Sequence, residues 1–290
     1  MGEVEHLVAS QCKLGEGPVW HPAEQALYWL DIEQGRLHRY DSLSQEHTST
    51  ELGLIVSAMG IRDKGGFVMA TKEGFALWDA LGENFQFLGD LDPDQAQAVR
   101  FNDGKTDRQG LFWAGKMGPA PTNSLFRLDP NGDISRTEVD ITCSNGLGWS
   151  PDNRIFYYTD SAARVIFAYD FDAVEGSISN RRVFTQVPNN PREGVPDGLS
   201  VDADGYIWSA RWGGWKIVRY TPQGEVEREI SLPVALVTSC AFGGPNLDEL
   251  YITSAWTEVR PEDRPGQPLA GDVFRLKTTV HGLPEAYFGG

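Results

Sequence analysis

Five side chains set hard oxygen donors in short segments that contain glycine. They are Glu16 in Gly15-Glu16-Gly17-Pro18, Asn102 and Asp103 in Arg100-Phe101-Asn102-Asp103-Gly104-Lys105, Asn145 in Ser144-Asn145-Gly146, and Asp197 in Pro196-Asp197-Gly198. Carboxylate and amide oxygens of mixed charge are what a hard divalent cation seeks. Taken singly, Asn-Gly and Asp-Gly are turn dipeptides. Glu16 is harder to explain that way, because a simple turn has no need of a glutamate. The five are expected at the mouths of different repeats, where a ring would gather them, with Asp103 behind the others as a supporting or turn residue. Arg100, two residues before Asn102, adds a cation able to hold a substrate hydroxyl or carboxylate.

Other chemistries are excluded by spacing. Gly104-Lys105-Thr106 resembles the end of a phosphate-binding loop, but Val99 stands where that loop needs glycine. Asp129-Pro130-Asn131-Gly132-Asp133 fails as a calcium hand, since Ile134 occupies the position reserved for glycine. The five histidines (His6, His21, His38, His47 and His281) form no pair at metal-ligand spacing along the chain. No Gly-x-Ser-x-Gly elbow presents a nucleophilic serine.

The elements that must position these residues repeat. In Thr142–Asp160 a polar turn at Ser144-Asn145-Gly146 leads to a short apolar segment, a turn at Ser150-Pro151-Asp152-Asn153, and the β-prone run Ile155–Thr159. The same grammar recurs around Gly17, Gly60, Gly104, Gly146, Gly198 and Ala241, at spacings of 43, 44, 42, 52 and 43 residues. A period in the low forties in a β-rich chain predicts propeller blades. The expectation is all-β: a single six-bladed β-propeller over residues 1–290, closed by pairing an N-terminal strand, Glu3–Ser10, with the last blade. Asp272–Leu276 and Glu285–Phe288 are expected as closing strands, and Asp92–Val99 as one or two helical turns. Three proline-rich loops, Gly118–Asn123, Pro188–Pro196 and Val259–Gly271, are expected to form rims. Most tryptophans are expected to pack between blades, with Trp212 and Trp215 as exceptions, and Lys116 and Lys216 to be structural or solvated.

Composition narrows the partners. A chain of 290 residues can bury roughly 75% of its unfolded surface and needs no disulfide to fold. A net charge of −16 argues against nucleic acid or an anionic membrane as partner. Three widely spaced cysteines, Cys12, Cys143 and Cys240, fit reduced thiols. The N-terminus lacks the pattern of a signal peptide, and no apolar run approaches the ~20 residues of a membrane span. The expected location is the cytoplasm. No sequence feature selects an oligomeric state.

The segments G-E-G-P-V-W, R-F-N-D-G-K, S-N-G-L-G-W-S-P-D, I-S-N-R-R-V-F, P-D-G-L-S-V-D-A-D-G and C-A-F-G-G-P-N occur in this order along almost the whole chain. Together they resemble the senescence-marker protein/gluconolactonase/regucalcin-like family, which includes bacterial sugar lactonases. The resemblance implies one divalent ion in the channel (Ca²⁺, Zn²⁺, Mg²⁺, Mn²⁺ or Fe²⁺) held by Glu16, Asn145 and Asp197, with Arg100 and Asn102 on the substrate. The implied activity is hydrolysis of a sugar lactone to the aldonic acid. Water would attack a metal-polarised carbonyl, with Asp197 as ligand and general base. The alternatives are a non-catalytic metal-binding regulatory propeller and a calcium-dependent arylesterase or phosphotriesterase-like propeller. One departure bears on the sugar: the loop where some family members carry an acidic substrate contact reads Met117-Gly118-Pro119-Ala120-Pro121 here.

Overall fold

A computed structural model describes residues 2–79, 84–88 and 100–290. The expected strands form, in six antiparallel sheets of four strands each. Blade 1 runs Gly15–His21, Ala26–Asp31, Arg36–Asp41, His47–Glu51, and blade 2 runs Val56–Ile61, Phe67–Thr71, Phe75–Asp79, Asn84–Leu88. Blade 3 comprises Arg100–Thr106, Phe112–Met117, Asn123–Leu128 and Ile134–Ile141; blade 4, Ser144–Trp149, Ile155–Asp160, Val165–Asp172 and Ser177–Gln186. In blade 5 the order is Val195–Val201, Ile207–Trp212, Lys216–Tyr220, Val226–Ser231. Blade 6 takes Val237–Gly243, Glu249–Ser254 and Val273–Lys277 from the end of the chain and Val4–Val8 from its start. The first strand of each blade packs against those of its neighbours, and Gly15–His21 against Val237–Gly243 closes the ring.

Burial follows distance from the axis. The first two strands of blade 1 are almost wholly buried, whereas its outermost, His47–Glu51, is exposed throughout. Apolar residues between successive blades form the core, with Trp20, Trp29, Trp113 and Trp208 fully enclosed. Two of these indoles repeat one device. Asp107 and Asp202 accept the indole N–H of Trp113 and Trp208, at 2.8 and 3.0 Å, while capping the turn between. A buried Trp N–H left unpaired would cost about 1–3 kcal/mol, so the aspartate makes each indole tolerable inside. Lys216 is structural as expected, held between Glu193 and Glu229 at 2.9 and 2.7 Å.

Two sequence expectations are corrected. Ser144-Asn145-Gly146 is not a turn but the start of a continuous strand, Ser144–Trp149. Of the two closing strands only Val273–Lys277 forms; Phe288 makes an isolated parallel bridge to Arg62. Instead, the last residues cross the end of the ring where the innermost strands finish. Gly282 bridges Asp202, Tyr287 meets the His21 ring, and Gly289 N–H donates to Gly110 O at 3.2 Å. The expected helical turns at Asp92–Val99 lie outside the described residues. Among those described, the one helical element is the 3₁₀ turn Arg264–Gly266.

The N-terminal strand has the role the repeat assigned to it. Val4–Val8 pairs antiparallel with Val273–Lys277, and His6 Nε2 lies 2.9 Å from Asp272 Oδ2. Burial of Val8 and a handful of ladder hydrogen bonds together contribute about 4 kcal/mol. Deleting residues 2–10 is therefore expected to lower the melting temperature by roughly 10 °C. Scanning calorimetry checks this; an unchanged midpoint would mean that the ring closes without the strand.

Candidate active site at the mouth of the channel

The glycines that read as turn residues serve another purpose. In all six innermost strands the register with the second strand slips at the same level, between Glu16/Val19, Val56/Ala58, Phe101/Gly104, Asn145/Leu147, Pro196/Leu199 and Val237/Cys240. A β-bulge lets a strand re-aim a side chain out of its alternation. Four of the six slips fall at or beside Glu16, Asn102, Asn145 and Asp197, so the candidates lie within the innermost strands rather than ahead of them. Gly146 and Gly198 are required by proximity. A Cβ on Gly146 would come within 2.7 Å of Asp197 O, and one on Gly198 within 2.1 Å of Ser239 Oγ. Asn-Gly and Asp-Gly here mean that the neighbouring blade passes too close for a side chain.

Glu16, Arg100, Asn102, Asn145 and Asp197 line one cavity of about 420 Å³. Antiparallel geometry explains the rest of its wall, because the start of a first strand and the end of the second lie at the same end. Met117 and Trp212 end second strands, and Glu33, Ser161, Ala162, Thr257 and Glu258 follow them. Leu14, Cys143 and Val195 complete the lining. Trp212 is thus at the site, its indole N–H donating to Glu258 at 3.3 Å, whereas Trp215 is exposed and outside it. Glu33, Ser161 and Glu258 escaped the sequence reading, although their place directly after the second strand of a repeat was a usable signal.

The site is fixed by hydrogen bonds between blades. Asn145 Nδ2 donates to Ser161 Oγ at 3.0 Å, and that hydroxyl donates to Pro196 O at 2.6 Å. This chain orients the Asn145 amide and ties blade 4 to the residue preceding Asp197. Asn102 Nδ2 donates to Ser144 O at 2.7 Å, joining blade 3 to blade 4. Arg100 Nη1 donates to Asn102 Oδ1 at 2.6 Å and to Phe101 O at 2.8 Å. Glu16 accepts the Gly17 N–H at 3.0 Å.

Charge is concentrated where solvent is scarce. Burial pushes the Glu16 carboxyl up to about 8, with the Asp103 charge adding to it. Burial also raises the Asp197 carboxyl well above the usual range, reinforced by Glu16 and then Asp103, while Asn145 hydrogen-bonds to it and pulls the other way. Asp103 is itself raised to about 6 by burial, and lines a smaller cavity deeper in the channel with Lys105 and Glu285. Arg100 faces Glu16, Cys143, Glu33 and Asp197. Two buried carboxyl groups that oppose each other's ionisation, next to an oriented amide, suit a divalent cation: it would remove the repulsion and satisfy all three oxygens. The donor chemistry of Glu16, Asn145 and Asp197 therefore fits the implied ion.

A second group of potential ligands lies outside the channel. Beside blade 1 the donor atoms of Cys12, Asp31 and His38 are all within 4.8 Å of one another. Sequence spacing hid His38 and His47, which meet across adjacent strands with Nδ1 and Nε2 at 2.9 Å.

Known proteins share this architecture and sequence. The description "SMP-30/Gluconolactonase/LRE-like region" matches residues 14–256. The chain is 37% identical over 288 residues to a pentonolactonase of Haloferax volcanii, covering 97% of each. It is 38% identical over 280 residues to a 6-deoxy-6-sulfogluconolactonase of Pseudomonas putida, covering 96% of this chain and 95% of that one. Among solved structures, a calcium-binding regucalcin from Agrobacterium tumefaciens superposes with a TM-score of 0.93 at 27% identity, over 99% of this chain and 97% of its own. With a ring of six blades, the bulged inner strands and these relatives across nearly the full length, the chain belongs to the SMP-30/gluconolactonase/LRE-like family.

Proposed function

We propose that this chain is a lactonase that hydrolyses a sugar lactone to the aldonic acid, using Glu16, Asn145 and Asp197 to hold one divalent cation. The observation that carries the reading is the convergence of five polar side chains from four blades on one cavity. Full-length relatives named as lactonases support the reaction class. The whole chain, residues 1–290, is taken as the domain bearing the site. Its three free cysteines fit a reducing compartment, the cytoplasm.

When bound, the cation would supply Lewis-acid polarisation of the lactone carbonyl. The protein's own residues do the rest. Asp197 accepts the proton of the attacking water as general base. Asn145, locked through Ser161 and Pro196 O, keeps its amide oxygen from rotating away from the donor set. Arg100 has Nη1 committed to Phe101 O and Asn102 Oδ1, and its remaining guanidinium donors serve the sugar hydroxyls. Asn102 sets the angle of that guanidinium and contacts the substrate beside it. Trp212 and Met117 contribute apolar wall.

A pH-drop assay on gluconolactone, xylonolactone, arabinonolactone and galactonolactone with added divalent ions tests the activity. Turnover of at least one is expected, lost on chelation and restored by metal; no turnover of any would leave a metal-binding propeller without catalysis. Asp197→Ala is expected to lower kcat at least 100-fold, on the order of a lost general base, and to weaken cation binding in the same preparation. An active Asp197→Ala protein with no bound metal would refute the assignment. Arg100→Ala removes a charged hydrogen-bond donor worth about 1.5–3 kcal/mol. It should raise KM roughly 10–100-fold with little change in kcat. Equal kinetics across the panel would remove Arg100 from the site.

A further inference from the structure

We propose that Cys12, His38 and Asp31 form a second metal site, distinct from the channel, for a borderline-soft divalent cation of the zinc class. The three side chains are 1%, 4% and 1% exposed. Cys12 Sγ and His38 Nε2 stand 3.5 Å apart. A tetrahedral zinc with one thiolate and one imidazole ligand sets those atoms about 3.5–3.6 Å apart, given the usual Zn–S and Zn–N lengths. Asp31 supplies the third donor within the 4.8 Å cluster. Among the described residues its Oδ2 accepts only the Lys13 N–H, at 2.7 Å, so lone pairs remain for a cation.

The surroundings are those of a built metal site. His38 turns its other ring nitrogen, Nδ1, to His47 Nε2 at 2.9 Å, the kind of outer partner that fixes the tautomer and orientation of a ligating imidazole. Trp29 donates its indole N–H to Cys12 Sγ at 3.4 Å and stacks on both imidazoles at 5.1 and 5.2 Å. Burial pushes the Cys12 thiol up to about 12 against this hydrogen bond, so a metal must displace the proton. Binding releases the thiol proton to solvent and forms the sulfur–metal bond in its place.

The fold itself does not call for these residues. Blade 4 repeats the local geometry: Asp160 accepts the N–H groups of Thr142 and Cys143, as Asp31 accepts those of Lys13 and Leu14. Counting from those aspartates, Ile141 stands where blade 1 has Cys12, and Tyr158 where it has Trp29. Phe167, opposite Tyr158, stands where His38 lies opposite Trp29. Blade 4 fills the space with apolar groups; blade 1 fills it with sulfur and nitrogen.

The position also gives the ion a task. Cys12 lies in the segment joining Val4–Val8 of blade 6 to Gly15–His21 of blade 1, and its N–H donates to Gly271 O at 2.8 Å. A cation bridging Cys12 to Asp31 and His38 would staple the linker of the ring closure to blade 1.

Cobalt and zinc titrations of the reduced full-length protein test the site. The wild type should bind one Co²⁺ with a near-ultraviolet sulfur-to-cobalt charge-transfer band and tetrahedral visible bands, both displaced by Zn²⁺. Cys12→Ile and His38→Phe, each installing the blade 4 residue, should abolish the band, and His47→Ala should weaken binding about 10–100-fold. Cys143→Ser, at the channel, should keep it. Absence of a sulfur-to-cobalt band in the wild type would overturn the proposal, and so would a band that survives Cys12→Ile or vanishes in Cys143→Ser. Should Cys12→Ile fail to fold by circular dichroism, the wild-type and Cys143→Ser spectra decide. Lactone turnover plays no part in this readout, so either outcome leaves the channel assignment standing or falling on its own test.

Discussion

The architecture of the mouth depends on keeping two carboxyl groups, Glu16 and Asp197, out of water and within electrostatic reach of each other. Burial raises the cost of ionising each, Asp103 adds to both, and Glu16 adds to that of Asp197. The rest of the structure counters this with geometry. Inner strands bulge at one common level, glycines let adjacent blades approach, and amide and hydroxyl bridges hold blades 3, 4 and 5 in step. A ring is well suited to the purpose, because it joins residues about 180 positions apart in sequence without any long connection.

Much of this was legible in the sequence. The six-fold spacing gave the ring, and the oxygen-bearing residues beside glycine gave the cavity's polar lining. What misled was local grammar. Asn145-Gly146 and Asp197-Gly198 carry the composition of turns, and only the neighbouring blade, absent from any local window, reveals why glycine is there. The same blindness hid blade 1's Cys12, His38 and His47. Their spacing along the chain looks arbitrary, whereas strand pairing places His38 beside Trp29 and two residues out of register with His47. Glu33, Ser161 and Glu258 were missed for a different reason. Their roles come from an equivalent place in each repeat, not from a motif.

The two clusters contrast in chemistry. The channel offers carboxylate and amide oxygens, the donor set of hard cations, under a guanidinium. Blade 1 offers sulfur and imidazole beside a carboxylate whose other contacts are backbone N–H groups. Hard and soft donors kept apart in one chain would let two cations be sorted by ligand type, the sulfur site being the one held away from solvent.

The C-terminal segment crosses the opposite end of the ring, touching His21 through Tyr287, Arg62 through Phe288 and Gly110 through Gly289. The cavity lined by Glu16 and Asp197 opens at the other end. A substrate entering there would share that mouth with product and displaced solvent, so one would clear before the next arrives.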